Sequence, residues 1–247
     1  MKTATILTLT IILTAFAIKT EFLTEQKKYE RVRTAFRDKE NVITEKLKDN
    51  GLEKDNLNIL IVAFKEEDKL EIYAKKKSET TYKKLINYDI CARSGQLGPK
   101  RKQGDYQVPE GFYHIARYNP TSNFYLSLGL NYPNQSDRKR SKATNLGGDI
   151  FIHGSCVTIG CIPMTDDKIK EIYLYAIHAR NNGQLKIPVY VFPFKMTVQN
   201  FNEYNTKYKD NTDLIDFWTN LKSGYDKFEN DKKELKIEVD LNGNYTF

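Results

Sequence analysis

The sequence predicts an α+β protein that is mainly β, with a sandwich-like or barrel-like sheet and accompanying helices. Short apolar segments separated by Gly, Pro and Asn predict the sheet, and longer segments with apolar residues every three or four positions predict the helices. The chain has 247 residues, which suits one principal core. Its 40% hydrophobic content is enough to offset the entropy lost on folding, which excludes a disordered chain.

The N-terminus has the pattern of a secretory signal. Lys2 is followed by an uncharged, mostly apolar run to Ile18, and Ala15 and Ala17 supply the small residues of a cleavage site. An uncleaved membrane anchor is the alternative, but the run is shorter than the roughly 20 apolar residues that span a bilayer and contains several threonines. We therefore predict a signal peptide, 1–17, cleaved after Ala17, and export of the mature protein.

The charge of the chain suggests an anionic partner. The net charge is +7, and removing Lys2 with the signal peptide leaves +6 on the mature protein. An exported basic protein concentrates near cell-wall polymers, carboxylate-rich peptides or phospholipids, although a merely soluble surface is the simpler interpretation. The longest basic cluster, Arg138-Lys139-Arg140 with Lys142, is short and lacks interleaved aromatic residues, so no nucleic-acid partner is expected.

An N-terminal helical segment, 18–54, comes first. Apolar residues between Glu21 and Asn50 recur at spacings of three, four and seven, and Gly51 ends the pattern. This predicts an amphipathic helix packed on the body of the protein.

A domain over residues 55–195 should hold the sheet and the site. Its first two strands are "LNILIVAF" (57–64) and "KLEIYAKK" (69–76), joined as a hairpin by a turn. Further strand candidates follow at residues 81–88, 112–118, 123–127, 149–153 and 187–192.

Two more helices are predicted. Thr165 caps a helix that begins at Asp166, runs to about Arg180 and stops at Gly183. A C-terminal helical extension, 196–247, contains an apolar stripe at helical spacing and ends in a strand candidate, "ELKIEVDL".

Of the three histidines, His153 is the best placed for chemistry. His178 falls about opposite the apolar stripe of its helix, which predicts a solvent-facing side chain. His114 sits mid-strand among aromatic residues, where a hydrogen-bonded structural role is expected. His153 ends an apolar strand and is followed by Gly154, a place where side chains project into a cleft.

Three cysteines, Cys91, Cys156 and Cys161, leave at least one thiol unpaired. In an exported protein Cys156 could pair with Cys91 or with Cys161. A metal site is disfavoured because the H-x2-C and C-x4-C spacings lack a nearby fourth donor, so no metal or other cofactor is expected.

A catalytic thiol would use the spared cysteine. An imidazole can take the proton of a thiol, and Gly160 permits amides to line an oxyanion hole, although it could simply form a tight turn. Composition and spacing leave Cys156 and Cys161 nearly equal as the nucleophile.

The stretch "HGSCVTIGCIPMTD" resembles the signature of the L,D-transpeptidase catalytic domain (YkuD-like) family, in which a His-Gly element precedes S/T-x-G-C. Its short His-to-Cys spacing and its "GC..MTD" pattern are similar to those of the YafK-like periplasmic branch. Two upstream stretches, "CARSGQLGPKRKQGDYQVPEGFYHI" and "NPTSNFYLSLGLNYPNQSD", extend the resemblance over roughly residues 55 to 195, and the tail also resembles that branch.

The resemblance implies roles for the residues of this motif. Cys161 would be the nucleophile, His153 its general base and acid, and the amides of Gly160 and Cys161 the oxyanion hole. A carbonyl from Gly154 or Ser155 would orient the histidine, and these two residues would also border the substrate.

Other residues of the motif follow from the same resemblance. Thr158 would contact the substrate or support the residues that contact it. Cys91 and Cys156 would have no catalytic role, or would form a disulfide beside the site.

One position departs from the family. Many members carry arginine two residues after the nucleophile, where it helps to hold a substrate carboxylate, but this chain has Pro163. The sequence therefore offers other cations for the substrate, namely Arg138 and Arg140, with Lys100 and Arg101 as further candidates.

The implied function is that of a peptidoglycan-modifying cysteine acyltransferase, with roles in cell wall biogenesis and cell shape. It would form an acyl-enzyme at a diaminopimelate-type residue of the stem peptide and then transfer the acyl group to an amine or to water. Its partners would be stem peptides and, in the YafK-like branch, an envelope protein attached to peptidoglycan. Two alternatives are a hydrolase of the same fold that detaches a protein or D-amino acid, and a non-catalytic envelope-binding module with Cys161 locked in a disulfide.

Overall fold

The computed structural model describes residues 21–247. The predicted signal peptide, 1–17, lies outside the described residues. Within 21–247, none of the helices combines the length and apolar character needed to cross a membrane.

The sheet contains eight strands, arranged in the order β3-β2-β1-β8-β4-β5-β6-β7. Most neighbours are antiparallel, whereas β1 with β8 and β6 with β7 are parallel. The strands are β1 (Leu57–Phe64), β2 (Lys69–Lys76), β3 (Lys83–Asp89), β4 (Gly111–Asn119), β5 (Ser127–Leu130), β6 (Phe151–His153), β7 (Ile162–Pro163) and β8 (Pro188–Phe192). Because β3 and β7 are edges, the sheet is an open, curved half-barrel.

Helices cover both faces of this sheet. They are α1 (Glu30–Asp49), α2 (Gln135–Arg140), α3 (Asp166–Asn181), α4 (Val198–Lys207) and α5 (Thr212–Asp231). A helical stretch, 21–27, precedes α1, and a 3-10 turn, Lys54–Asn56, precedes β1. Two short strands near the C-terminus, β9 (Glu238–Val239) and β10 (Tyr245–Thr246), pair with each other.

The alternation of β1 divides the core in two. Ile59 and Ile61 belong to the cluster that includes buried residues of α1 and α3, whereas Leu60 and Val62 belong to the cluster that includes Trp218 and its neighbours on α5. A strand covered by helices on both faces is buried throughout, which explains why 57–64 is a continuous apolar run rather than an alternating one.

The local patterns predicted most elements. The hairpin strands 57–64 and 69–76 are confirmed at their bounds, and α3 begins at Asp166 with Thr165 Oγ1 accepting from Lys168 N at 3.3 Å. The strand predicted at 123–127 is wrong, because residues 120–126 form turns and β5 starts at Ser127. The last strand candidate is strand only at Glu238–Val239.

Two helices were missed. The segment that contains α2 reads as turn residues, but Asn134 and Asp137 form a reciprocal capping box that starts the helix. Helix α4 is preceded by Thr197, whose side chain accepts from Asn200 N.

The prediction for His178 was wrong. Helix α1 lies over that face of α3, so the side chain is buried and its Nε2 lies 3.0 Å from Glu40 Oε2. Burial alone would raise the pKa of Glu40, but His178 and Lys54 lower it to about 2. His114 is half-buried in β4 as a part of the sheet, and its backbone N–H donates to Asn131 Oδ1.

A buried ion pair joins the end of β1 to the rest of the fold. Glu110 is fully buried, and its Oε1 accepts from Lys65 Nζ at 2.8 Å and from Gly98 N at 2.7 Å. Its Oε2 accepts from Trp218 Nε1 at 2.8 Å. Lys65 Nζ also donates to the carbonyls of Gly98 and Val108. Every charged group here is paired and hydrogen-bonded, which is the condition under which buried charges are tolerated.

Replacing Lys65 with methionine should therefore destabilise the protein by about 3 to 5 kcal/mol, because the Glu110 carboxylate stays buried without its cation. Chemical denaturation gives the free energy of unfolding. Lys69→Met is the matched control, since Lys69 pairs with Asp89 at the surface and its loss should cost less than about 1 kcal/mol. Equal losses in the two variants would contradict the role given to the buried pair.

Candidate active site

His153 and Cys161 lie on adjoining chain segments. Strands β6 and β7 are parallel neighbours, with Ile152 opposite Ile162 and His153 opposite Pro163. Cys161 immediately precedes β7, so the sheet brings the two predicted catalytic residues to the same edge.

The His153 ring is held by its own strand end. Its Nδ1 lies 2.5 Å from the carbonyl oxygen of Gly154, and a carbonyl only accepts, so Nδ1 carries the proton and Nε2 is left as the acceptor. The side chain is buried, and the Phe124 ring lies 4.7 Å from it, centroid to centroid. Of the two carbonyls predicted to orient the histidine, the structure provides that of Gly154.

The turn after His153 is held by Asp166. Its Oδ1 accepts from Ser155 N at 2.8 Å, and Ser155 has φ 61°. A Cβ on Gly154 would lie 2.6 Å from the same oxygen and 3.0 Å from Phe124 O, so only glycine fits. The sequence signal for Asp166 was the "MTD" of the motif, but it was interpreted only as part of a helix N-terminus.

Cys161 is engaged by backbone groups in this conformation. Its Sγ accepts from Phe151 N at 3.4 Å and donates to Asp149 O at 3.6 Å. Among the described residues, no hydrogen bond links this thiol to His153. The thiol therefore has to leave the Asp149 carbonyl before the imidazole takes its proton.

The amides predicted for the oxyanion hole converge on Thr158. Its Oγ1 accepts from Cys161 N at 2.8 Å and from Gly160 N at 3.2 Å, and the hydroxyl donates to Cys161 O. Gly160 has φ 136°, a conformation that favours glycine. Two amides directed at one oxygen have the geometry an oxyanion requires, provided that the substrate oxygen displaces the Thr158 hydroxyl.

Burial keeps both catalytic candidates neutral. It raises the pKa of the Cys161 thiol above its usual range, although the Phe151 N–H and the Lys100 charge act in the opposite direction. Burial also lowers the pKa of His153, although the hydrogen bond with Gly154 O acts to raise it. At neutral pH the pair is a thiol and an imidazole, so His153 is available as a base.

A disulfide joins two of the three cysteines. Cys91 and Cys156 are bonded, with their Cα atoms 5.4 Å apart, and Cys161 is the free thiol. The pairing leaves Cys161 as the candidate nucleophile in this oxidised state.

A cavity of about 80 Å³ opens at Cys161. Its walls come from the β1–β2 turn, from residues 92–97 and from the neighbouring strands, and Lys65 and Arg93 are the cations that line it. None of the four cations predicted to bind substrate borders this cavity. No cluster of three or more potential metal ligands is found among residues 21–247.

The four predicted cations lie elsewhere. Arg101 and Arg140 line a larger cleft of about 1040 Å³ that shares Leu97 with the Cys161 cavity. Lys100 is buried and donates to Asp105, and Arg138 is exposed on α2.

The sheet thus places a buried imidazole on β6 and a free thiol immediately before the adjacent β7, a pairing of groups that cysteine acyl-transfer enzymes use. Residues 58–191 match the model of the family described as L,D-transpeptidase catalytic domain. The chain belongs to this family.

A curated relative agrees with this membership. The chain is 40% identical over 189 residues to "Putative L,D-transpeptidase YafK" of Escherichia coli K12, a match that covers 76% of this chain and 72% of the relative. Among solved structures it is similar to the helical cell shape determining protein Pgp2 of Campylobacter jejuni, with a TM-score of 0.44, 20% identity and coverage of 75% and 74%. L,D-transpeptidase 1 of Mycobacterium tuberculosis has a TM-score of 0.31, 14% identity and coverage of 55% and 62%.

The raised pKa of Cys161 predicts slow alkylation at neutral pH. Because the neutral thiol predominates below its pKa, we expect the rate of labelling by iodoacetamide to keep rising at about pH 9 in the substrate-free protein. Mass spectrometry of the modified peptide measures the rate, and Cys161→Ala gives the background. A rate that is already maximal at about pH 7 would show a thiolate instead.

The crowding at Gly154 predicts a catalytic defect in Gly154→Ala. The added Cβ would displace the turn and with it the carbonyl that orients His153, so turnover of stem peptides should fall about 100-fold. Gly148→Ala is the matched control, since a Cβ there meets no atom within 4 Å. Steady-state kinetics measures the turnover of both variants. A turnover of Gly154→Ala equal to that of the parental protein would contradict this prediction.

Proposed function

We propose that this protein is an exported L,D-transpeptidase-type cysteine acyltransferase that acts on peptidoglycan stem peptides. The observation that carries the proposal is that Cys161, the thiol left free by the Cys91–Cys156 disulfide, borders a cavity on the same sheet edge as the oriented His153. The bond attacked is the carbonyl–nitrogen bond after a diaminopimelate-type third residue.

Acylation uses the neutral pair. His153 Nε2 takes the proton of Cys161 as the sulfur attacks the carbonyl carbon, and the resulting imidazolium returns that proton to the leaving amine. The carbonyl oxygen becomes an oxyanion and takes the place of the Thr158 hydroxyl on the Gly160 and Cys161 amides. A thioester on Cys161 and a free amine are the products of this half-reaction.

Deacylation reverses these roles. His153, neutral again, deprotonates an incoming amine or water, which attacks the thioester and releases Cys161. With an amine from a second stem the product is a 3-3 crosslink, and with water it is a shortened stem or a detached protein.

Export is supported by the disulfide itself. Structural disulfides persist in oxidising compartments such as the bacterial periplasm, and Cys91–Cys156 is placed beside the site. The +6 charge expected for the mature chain suits an anionic cell-wall substrate.

The binding-module alternative required Cys161 to be locked in a disulfide. The bonded pair is Cys91 with Cys156, which leaves Cys161 available for chemistry and favours catalysis.

The test is turnover of purified muropeptides. Incubating the mature protein with a disaccharide tetrapeptide should give products that mass spectrometry assigns to transfer or to hydrolysis. Cys161→Ala should abolish turnover, and His153→Gln should lower it by about 100- to 10,000-fold. His114→Gln is the control histidine, since His114 lies within the sheet on β4, where its backbone N–H donates to Asn131 Oδ1. Undiminished turnover by Cys161→Ala would overturn the proposal.

A further inference from the structure

The wall of the cavity opposite Cys161 carries charges of both signs. Glu66 and Asp68 come from the β1–β2 turn, and Arg93 comes from the segment after β3. Lys65 also borders the cavity, but its ammonium group is already committed to Glu110 and two carbonyls. The groups left for a ligand are therefore one guanidinium and two carboxylates.

Arg93 is fixed at the edge of the cavity. Its Nε donates to Asp68 Oδ1 at 2.5 Å, Nη1 lies 3.5 Å from Glu66 Oε2, and Nη2 donates to Glu66 O. A guanidinium has five N–H donors, so these contacts orient the group and leave donors free. The side chain is 51% exposed, which leaves it accessible to a ligand.

Ser94 supplies an unpaired polar group at the same wall. Its Oγ is buried and has no hydrogen-bond partner within the described part of the chain. Buried hydroxyls nearly always have partners, so an unpaired one in a residue that lines the cavity is the polar group that the proposal below assigns to a ligand oxygen.

This wall is tied to the nucleophile. The disulfide joins Cys91 to Cys156, on the loop between His153 and Cys161, and Cys91 N donates to Pro163 O at 3.0 Å. Ile90 N donates to Asp68 O at 2.8 Å, which connects the same segment to the β1–β2 turn. The acidic turn, Arg93 and Cys161 are thus held in one frame.

We propose that this cavity binds an α-amino-acid zwitterion, with its carboxylate on Arg93 and Ser94 and its ammonium group on Glu66 and Asp68. The free end of a diaminopimelate side chain is such a group, so this proposal rests on the proposed function and names the part of the stem peptide that is recognised. A carboxylate alone would meet two acidic side chains, and an ammonium group alone would leave Arg93 and Ser94 unused.

The same assignment accounts for Pro163. Where many family members have a cation two residues after the nucleophile, this chain has a residue whose carbonyl anchors Cys91. The segment anchored there carries Arg93 into the Cys161 cavity, so the cation is supplied from a different part of the chain.

Three tetrapeptide substrates test the proposal. They differ only in the third residue, which is diaminopimelate, diaminopimelate with its side-chain carboxylate amidated, or lysine. We expect the parental protein to prefer the first. Arg93→Gln and Ser94→Ala should each lower kcat/KM for it by about tenfold or more, mainly through KM, with little change for the other two.

Controls separate this proposal from the proposed function. Arg37→Gln removes an arginine that is bonded to Asp38 on α1, away from the cavity, and should leave the preference intact. If the parental protein turns over none of the peptides, the proposed function fails, and calorimetric binding of the same peptides to Cys161→Ala tests the zwitterion site by itself. Full preference for diaminopimelate in both Arg93→Gln and Ser94→Ala, in turnover or in binding, overturns the zwitterion site.

Discussion

The Lys65–Glu110 ion pair is the interaction on which the site depends. Removing two charges from water is costly, and here hydrogen bonds from Gly98 and Trp218 compensate that cost. The pair fixes the residue at which β1 ends, and the acidic β1–β2 turn begins there. Since Trp218 belongs to α5, this C-terminal helix is connected to the same ion pair. The stability of the core and the shape of the Cys161 cavity therefore both depend on the Lys65–Glu110 pair.

In this structure the Cys161 thiol and the amides of Gly160 and Cys161 are all engaged by groups of the protein itself. The Asp149 carbonyl accepts the thiol proton and the Thr158 hydroxyl occupies the two amides. Burial meanwhile keeps Cys161 protonated, and a neutral thiol is a much poorer target for oxidants than a thiolate. Burial therefore protects the free Cys161 from oxidation.

Local patterns in the sequence predicted the elements, whereas long-range contacts determined what was missed. The β1–β2 hairpin and α3 depend on periodicity and capping within a short stretch, so they were predicted closely. The burial of His178 depends on α1, which is far away in sequence. Spacing alone left Cys156 and Cys161 equivalent, and only the family resemblance or the observed disulfide separates them. The position of Arg93 at the cavity carried no local signal, because it arises where the β1–β2 turn and a distant segment meet.

Pro163 contributes to the scaffold around the site through its backbone carbonyl. Proline has no N–H to donate, which is tolerated because β7 is an edge strand of the sheet. Its carbonyl accepts from Cys91 N, next to the disulfide that joins Cys91 to the catalytic loop. This backbone contact and the disulfide together anchor the segment that brings Arg93 to the cavity. In the proposed zwitterion site the substrate carboxylate is therefore held by a segment separate from the nucleophile, and the carbonyl contact and the disulfide together fix the position of that segment.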